Sequence, residues 1–436
     1  MPQDAISEQL HTICEWLQDT PLPDAVEIRA RALLLDTIGC MVAGLAKPEL
    51  LALAARHAQL EPGPIRLPGC AHALSLSAAA NLSVIAACWD EACEGLARAH
   101  GRPGLHAFGG VLALALLRDA SLDKTLHSLA CGYEVGGRMG ETLRIVEGMH
   151  VDGTWGSFAA LAGAARLLEM PVASTVAALE ACACQLPFSL YLPVAQGATT
   201  RNTYVGGAAV RALQQVLATE AGVTAPTGAI SRYNRLALGA TEDRQLEQPG
   251  VWLLAEGYLK PFAAVRHVHY AAQAALQIRE RGVTGPAREI RLRIYPEAIR
   301  YCGNRAPATA IQAQFSLSYG LAHALLHGDL GPEAYLPERL HDEALARLES
   351  FIRIEATERF GSGRGAELWV RGDTAEDSVV VEQVAGDPGH PLSLRAVEDK
   401  FLRYAAPHIG ERRAQRMAEA LLQGDAQTSL ARLLHG

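Results

Sequence analysis

The side chains best suited to acid–base chemistry are scattered along the chain rather than gathered in one motif. His150 stands in GMHVDGTWG, a glycine-flanked turn just ahead of an apolar stretch. Imidazole is neutral near pH 7 and can take up a proton and return it. Arg102 in GRPGLH and Arg201 in QGATTRNTY stay protonated at any ordinary pH, so neither is a base. Either can clamp a carboxylate through two parallel hydrogen bonds. Lys260 and Arg266, in KPFAAVRHVHY, are further anchors for an anion. An imidazole accompanied by cations suits proton transfer on an anionic ligand. Taken singly, each residue has a plainer reading. A loop histidine can be merely solvated, Asp90 after the apolar LSVIAACW run can end a helix, and Tyr319 in FSLSYGLA can be core.

These groups need a scaffold, and the periodicity predicts one. At 436 residues, with 49 % hydrophobic and only 20 % charged, the chain exceeds one ordinary core, so two domains are expected. Alanine, leucine and glycine dominate, which favours close-packed helices. From residue 5 to about 265 the pattern is helical. Pro23-Asp24 opens a helix by turn and cap chemistry, and Gly39 and Gly44 on it are placed for close helix contact. After Lys260 the texture changes. In REIRLRIYP, Ile290, Leu292 and Ile294 alternate with arginines, as in a half-buried strand. TAIQAQFSLSYGLAHALLHG predicts a helix, FIRIEAT, AELWVRG and DSVVVEQV predict strands, and the C-terminal run is helical again. The expected fold is mainly α: a large all-α domain (1–265 with 396–436) and a smaller α+β domain (266–395).

Several functions are excluded or lack support. A net charge of −8 with no basic run argues against nucleic acid, so any anionic ligand must meet a local cluster of cations. The acidic N-terminal segment has no basic start, apolar core or cleavage site, and no apolar run is long enough to span a membrane, so a cytoplasmic location is expected. The nine cysteines are odd in number and form no CxxC pair, as expected of reduced thiols. No HExxH metal pattern or GxSxG elbow occurs, and GYEVGG and GSGRG lack the strand–loop–helix order of a nucleotide site.

Five segments, in order, resemble the MmgE/PrpD family of 2-methylcitrate dehydratases and cis-aconitate decarboxylases: RALLLDTIGCMVAGL, LACGYEVGGRMGE, EGMHVDGTWGSFAALAGAARLLEM, NRAPATAIQAQFSLSYGLAHALLHG and GHPLSLRAVEDKF. The resemblance runs from about residue 5 to 430. It implies a helical domain and an α+β domain with the active site between them, no metal or organic cofactor, a homodimer, and small di- or tricarboxylate substrates. It implies that His150, Asp90, Tyr319 and Lys260 are catalytic, and that Arg102, Arg201, Arg266, His269, His106 and His100 bind substrate.

The chain also departs from the family pattern. Arg102 stands where a histidine is expected, with His100 and His106 as neighbours that could replace it, and Arg201 stands where relatives carry lysine. Gln273-Ala274 replaces an Asp-Ala pair, while Glu94 and Val265 depart from the decarboxylase pattern of threonine and histidine. His267 is open to a solvent-facing reading, and His323 to a packing one. A hydro-lyase is therefore the favoured expectation. Decarboxylase and epimerase are the alternatives, and a carboxylate-binding relative without activity is the non-enzymatic one.

Overall fold

The computed structural model describes residues 5–282, 288–361, 363–372 and 375–435. The chain is 60 % helical with 9 % in strands, a mainly α fold with a small α+β part. Its centre is the Asp24–Leu45 helix, buried at every position from Ala30 to Leu45. A helix apolar on all sides must be surrounded, and the Leu76–Cys88 and Leu394–Ile409 helices pack against it. Gly44 permits the first contact, since a Cβ there would lie 2.0 Å from the Ala86 carbonyl oxygen. The Pro103–Leu117, Leu122–Thr142 and Gly156–Leu167 helices form a second packed group. Serines cap three of these helices, Ser393 accepting the Ala396 N–H at 3.1 Å ahead of Leu394–Ile409. Ser75 accepts the Ala78 N–H and Ser121 the Lys124 N–H, satisfying amides that the first turn leaves free.

The Leu394–Ile409 helix ties the core to two loops. Lys400 pairs with buried Asp36 of the central helix at 2.6 Å. The same ammonium donates to the carbonyls of Ala92 and Lys260 at 2.7 and 2.8 Å. One cation thus fixes two loops that converge on the candidate site.

The strands form a four-stranded sheet ordered Ile352–Ala356, Glu289–Ile294, Ala366–Arg371, Glu376–Val381. The first pair is parallel and the other two are antiparallel. Ile290, Leu292 and Ile294 are buried, while Arg291 and Arg293 face out, as their alternation predicts. The Arg266–Glu280 helix packs on the sheet and against the Leu317–His327 helix.

Two expected helices are each broken in two. TAIQAQFSLSYGLAHALLHG splits into Ala310–Gln314 and Leu317–His327 because Ser316 turns to cap the second, accepting the Tyr319 N–H. The C-terminal run splits at Gly410, whose φ of 86° suits glycine and breaks the helix. Among the described residues no single helix is long and apolar enough to cross a membrane.

Candidate active site

Loops from distant parts of the chain enclose a cavity of about 240 Å³. The loop after the Leu76–Cys88 helix brings Glu91 and His100, both at φ 53°. Arg102 stands just before Pro103, at the start of the next helix. The His150 loop is pinned by its own N–H, which donates to the Ser189 carbonyl at 2.7 Å. Arg201 lies on the short Thr199–Asn202 helical turn, Lys260 on the loop held by Lys400, and Arg266 at the first position of its helix.

At the inner end two buried carboxylates hold three cations. Glu91 accepts from Arg102 at 3.2 Å, from Arg201, and from Lys260 at 2.8 Å. Asp152 pairs with Arg102 and lies 3.4 Å from Arg201. Both arginines also donate to Cys88 Sγ, at 3.2 and 3.1 Å. Burial alone would raise the Glu91 pKa, but Arg102, Arg201 and Lys260 outweigh it and hold the carboxyl far below its usual range. Asp152 is likewise held ionised against burial, chiefly by Arg102. Neither carboxyl is available as an acid at neutral pH. Their work is to aim the cations.

Six cations line the cavity (Arg102, Arg144, Arg201, Lys260, Arg266 and Arg364) against three carboxylates, Glu91, Asp152 and Glu297. Asp387 takes one hand of Arg266 from outside, which still leaves positive charge in excess. Arg144 is the informative member. Its Nη2 donates to the Arg98 carbonyl at 2.8 Å, while its buried Nη1 has no partner among the described residues. A buried guanidinium N–H without an acceptor costs on the order of 1–3 kcal/mol, and an anionic ligand would relieve it.

Two imidazoles face this charge. His150 Nδ1 accepts the Asp152 N–H at 3.0 Å, and Nε2 faces Arg201 Nε at 3.4 Å. Both nitrogens therefore look onto donors, which disfavours a second proton. Burial drives the His150 pKa down to about 4; Asp152 opposes the shift, and Arg201 and Arg102 add to it. His267 is buried, not solvent-facing, and its Nδ1 lies 2.6 Å from Tyr295 Oη. Burial, then Arg364 and His100, push its pKa well below the usual value. The two rings are joined by phenols. Successive centroids from His150 through Tyr191 and Tyr301 to His267 are 5.9, 5.7 and 5.8 Å apart. The cavity thus has one aromatic wall with a neutral imidazole at each end.

Of the residues expected from the sequence, His150, Lys260, Arg102, Arg201, Arg266 and His100 line the cavity. The other four lie elsewhere. Asp90 turns the opposite way from Glu91 and binds Lys47 at 2.9 Å. Tyr319 points away from the cavity and donates to the Ala334 carbonyl between the rings of His323 and Tyr335. The same segment instead contributes Phe315, beneath Arg201. His269 supports from behind: its Nε2 donates to the Ala264 carbonyl at 3.0 Å, leaving Nδ1 to face Arg266 at 3.3 Å. His106 sits behind Asp152, with Nε2 3.5 Å from Oδ1 and not hydrogen-bonded. Arg102, expected to clamp substrate, is already engaged by Glu91, Asp152, Cys88 and Cys93.

Sequence reading missed Glu91, Asp152, Arg144 and Arg364, and left His267 open to a solvent-facing reading. Two had a local signal: Glu91 adjoins Asp90, and Asp152 lies two residues from His150.

Comparison with protein families matches residues 8–248 to the MmgE/PrpD N-terminal domain and residues 262–423 to the MmgE/PrpD C-terminal domain. Comparison with curated proteins gives no match. The two family domains together cover nearly the whole chain, which therefore belongs to the MmgE/PrpD family, a dehydratase- and lyase-type family.

Proposed function

We propose that the protein is a lyase that removes a proton beside a carboxylate of a small di- or tricarboxylate and expels water. The observation that carries this reading is the neutral His150 imidazole beside a cavity whose cations outnumber its carboxylates. His150 takes the proton, and the cations stabilise the enolate-like charge that develops. In the empty site the base is weak. A bound polyanion supplies the negative charge that the free cavity lacks and raises imidazole basicity when it is needed. The imidazolium formed on His150 then returns its proton to the departing hydroxyl, giving an unsaturated acid and water and restoring the neutral base. Arg144 and Arg364 receive the outer carboxylate, since Arg144 has an unpartnered N–H and Arg364 is held only loosely by Glu297, at 3.5 Å. At about 240 Å³ the cavity is below the range of about 300–1,000 Å³ typical of drug-sized ligands, which suits a compact acid.

Water loss is favoured over decarboxylation because Val265 presents an aliphatic side chain to the cavity where the decarboxylase pattern has histidine. Epimerisation is the second reading, favoured by an imidazole at each end of one wall: one withdraws the proton, and the other, entering the step in its protonated form, delivers a solvent-derived proton to the opposite face. A panel of hydroxylated di- and tricarboxylates in deuterated water, followed by mass spectrometry, separates these outcomes. Loss of water is expected. Loss of carbon dioxide assigns a decarboxylase, and deuterium gained without loss of mass assigns an epimerase. No change with any acid overturns the proposal.

A further inference from the structure

Behind Tyr258 lies a second cavity, of about 220 Å³, and Tyr258 is a wall of both. Most of its lining is aliphatic, including Leu33, Leu254, Leu259 and Leu392. Ile28 and Leu394, 48 % and 42 % exposed, also line it and leave its mouth apolar. Besides Tyr258, three polar side chains break this pattern, and each has unused hydrogen-bonding capacity. Arg29 donates to the carbonyls of Leu254 and Gly257 at 3.2 and 2.5 Å, yet no carboxylate among the described residues pairs with it. Tyr133 is 1 % exposed and its hydroxyl has no partner among the described residues. Glu94 is also 1 % exposed; Oε1 accepts the Leu105 N–H at 3.0 Å, and Oε2 has no partner among them.

The three groups line the same cavity, and Arg29 and Tyr133 meet at Gly257, whose carbonyl accepts from Arg29. Burial pushes the Glu94 pKa up to about 8, against the Leu105 N–H and the charges of Arg102 and Lys260. At neutral pH its carboxyl therefore carries a proton and can donate. The backbone is thinned to admit the phenol: a Cβ on Gly257 would lie 2.3 Å from Tyr133 Oη.

Three donors, one of them a cation without a counter-ion, converge in an otherwise greasy pocket. We propose that this second cavity binds a small monocarboxylate with an apolar tail, its carboxylate on Arg29, Tyr133 and Glu94 and its hydrocarbon against the leucines. A neutral hydrocarbon would leave the donors unpaired, and an amine would meet Arg29. A polycarboxylate would bury its second charge among aliphatic side chains without a partner. The ligand class thus differs from that of the first cavity, and this inference does not rest on the proposed reaction.

Calorimetric titration with hexanoate tests it. Saturable binding is expected, at least tenfold weaker for Arg29→Leu, several-fold weaker for Tyr133→Phe, and unchanged for Arg201→Met. Hexanol and hexylamine should bind at least tenfold more weakly than hexanoate. Arg29 is only half-buried, so its variant should fold. On the unaltered protein, hexanoate affinity should fall as pH rises past about 8, when ionised Glu94 repels the ligand. Absence of saturable binding, affinity that survives Arg29→Leu, hexanol binding as tightly as hexanoate, or affinity unchanged up to pH 9 would overturn the proposal. Binding lost with Arg201 rather than Arg29 would assign hexanoate to the first cavity and overturn it equally.

Discussion

Two buried charge networks in this protein look alike in composition and differ in what they face. On the Leu122–Thr142 helix, Arg138 donates to Glu134 at 2.6 Å and to the carbonyls of Glu247, Gln248 and Val251. Glu134 in turn accepts the N–H groups of Leu253 and Leu254, each at 2.9 Å. That network is closed: it staples the 247–254 loop to the helix, and neither Arg138 nor Glu134 lines a cavity described above. The Glu91–Asp152 network is open. Its cations face a cavity, positive charge is in excess, and Arg144 Nη1 has no partner among the described residues. Buried charge alone therefore marks no function. A charge network that is incomplete until an anion arrives does.

The largest expected effect breaks the closed network. Arg138→Met strands the Glu134 carboxylate and should cost about 3–5 kcal/mol in urea unfolding. The shift in melting temperature produced by a polycarboxylate should persist in that variant, because the open network is intact. Arg144→Met should do the reverse. Its unliganded melting temperature should hold, while KM for the polycarboxylate rises about tenfold or more, the worth of one charge-assisted hydrogen bond. Equal loss of ligand response in both variants would erase the distinction between the networks.

Smaller effects follow from two groups that titrate in opposite senses. The folded-state pKa of Glu94 is raised from 4.5 to about 8, so between those values the folded chain holds a proton that the unfolded chain has released. Stability therefore falls as pH rises through that window. Glu94→Gln should gain stability relative to the unaltered protein as pH rises from 4 to 8, as measured by paired denaturant titrations. His150 is lowered from 6.5 to about 4, so the unfolded chain binds the extra proton. Its contribution is present above pH 6.5 and lost as pH falls towards 4, and His150→Gln should flatten that acid limb.

The scaffold was more legible in the sequence than the site. Alternation at Ile290, Leu292 and Ile294 reports a strand face because a strand repeats every two residues. Gly44 reports a close approach because little else fits there. The breaks at Ser316 and Gly410 are harder to foresee, since each replaces a helix that its flanking pattern would continue. In the site, Asp90 and Glu91 are chemically equivalent in an irregular loop. A φ of 53° at Glu91 helps send the two carboxylates to opposite sides, and no periodicity encodes it. Arg364, in the glycine-rich GSGRG run, meets Arg144 and His267 only through tertiary structure. Tyr319 shows the converse: a motif aligned the segment, and Phe315 rather than the tyrosine reaches the cavity.

Deuterium incorporation beside the carboxylate tests the proton-transfer step most directly. The unaltered protein and His150→Ala are incubated in deuterated water with an acid that the protein turns over, and label and product are followed by NMR. Solvent-derived exchange or turnover is predicted for the unaltered protein, with His150→Ala slower by roughly 10²–10⁴-fold at unchanged folding. Equal rates in the two proteins would contradict the assignment of His150 as the base.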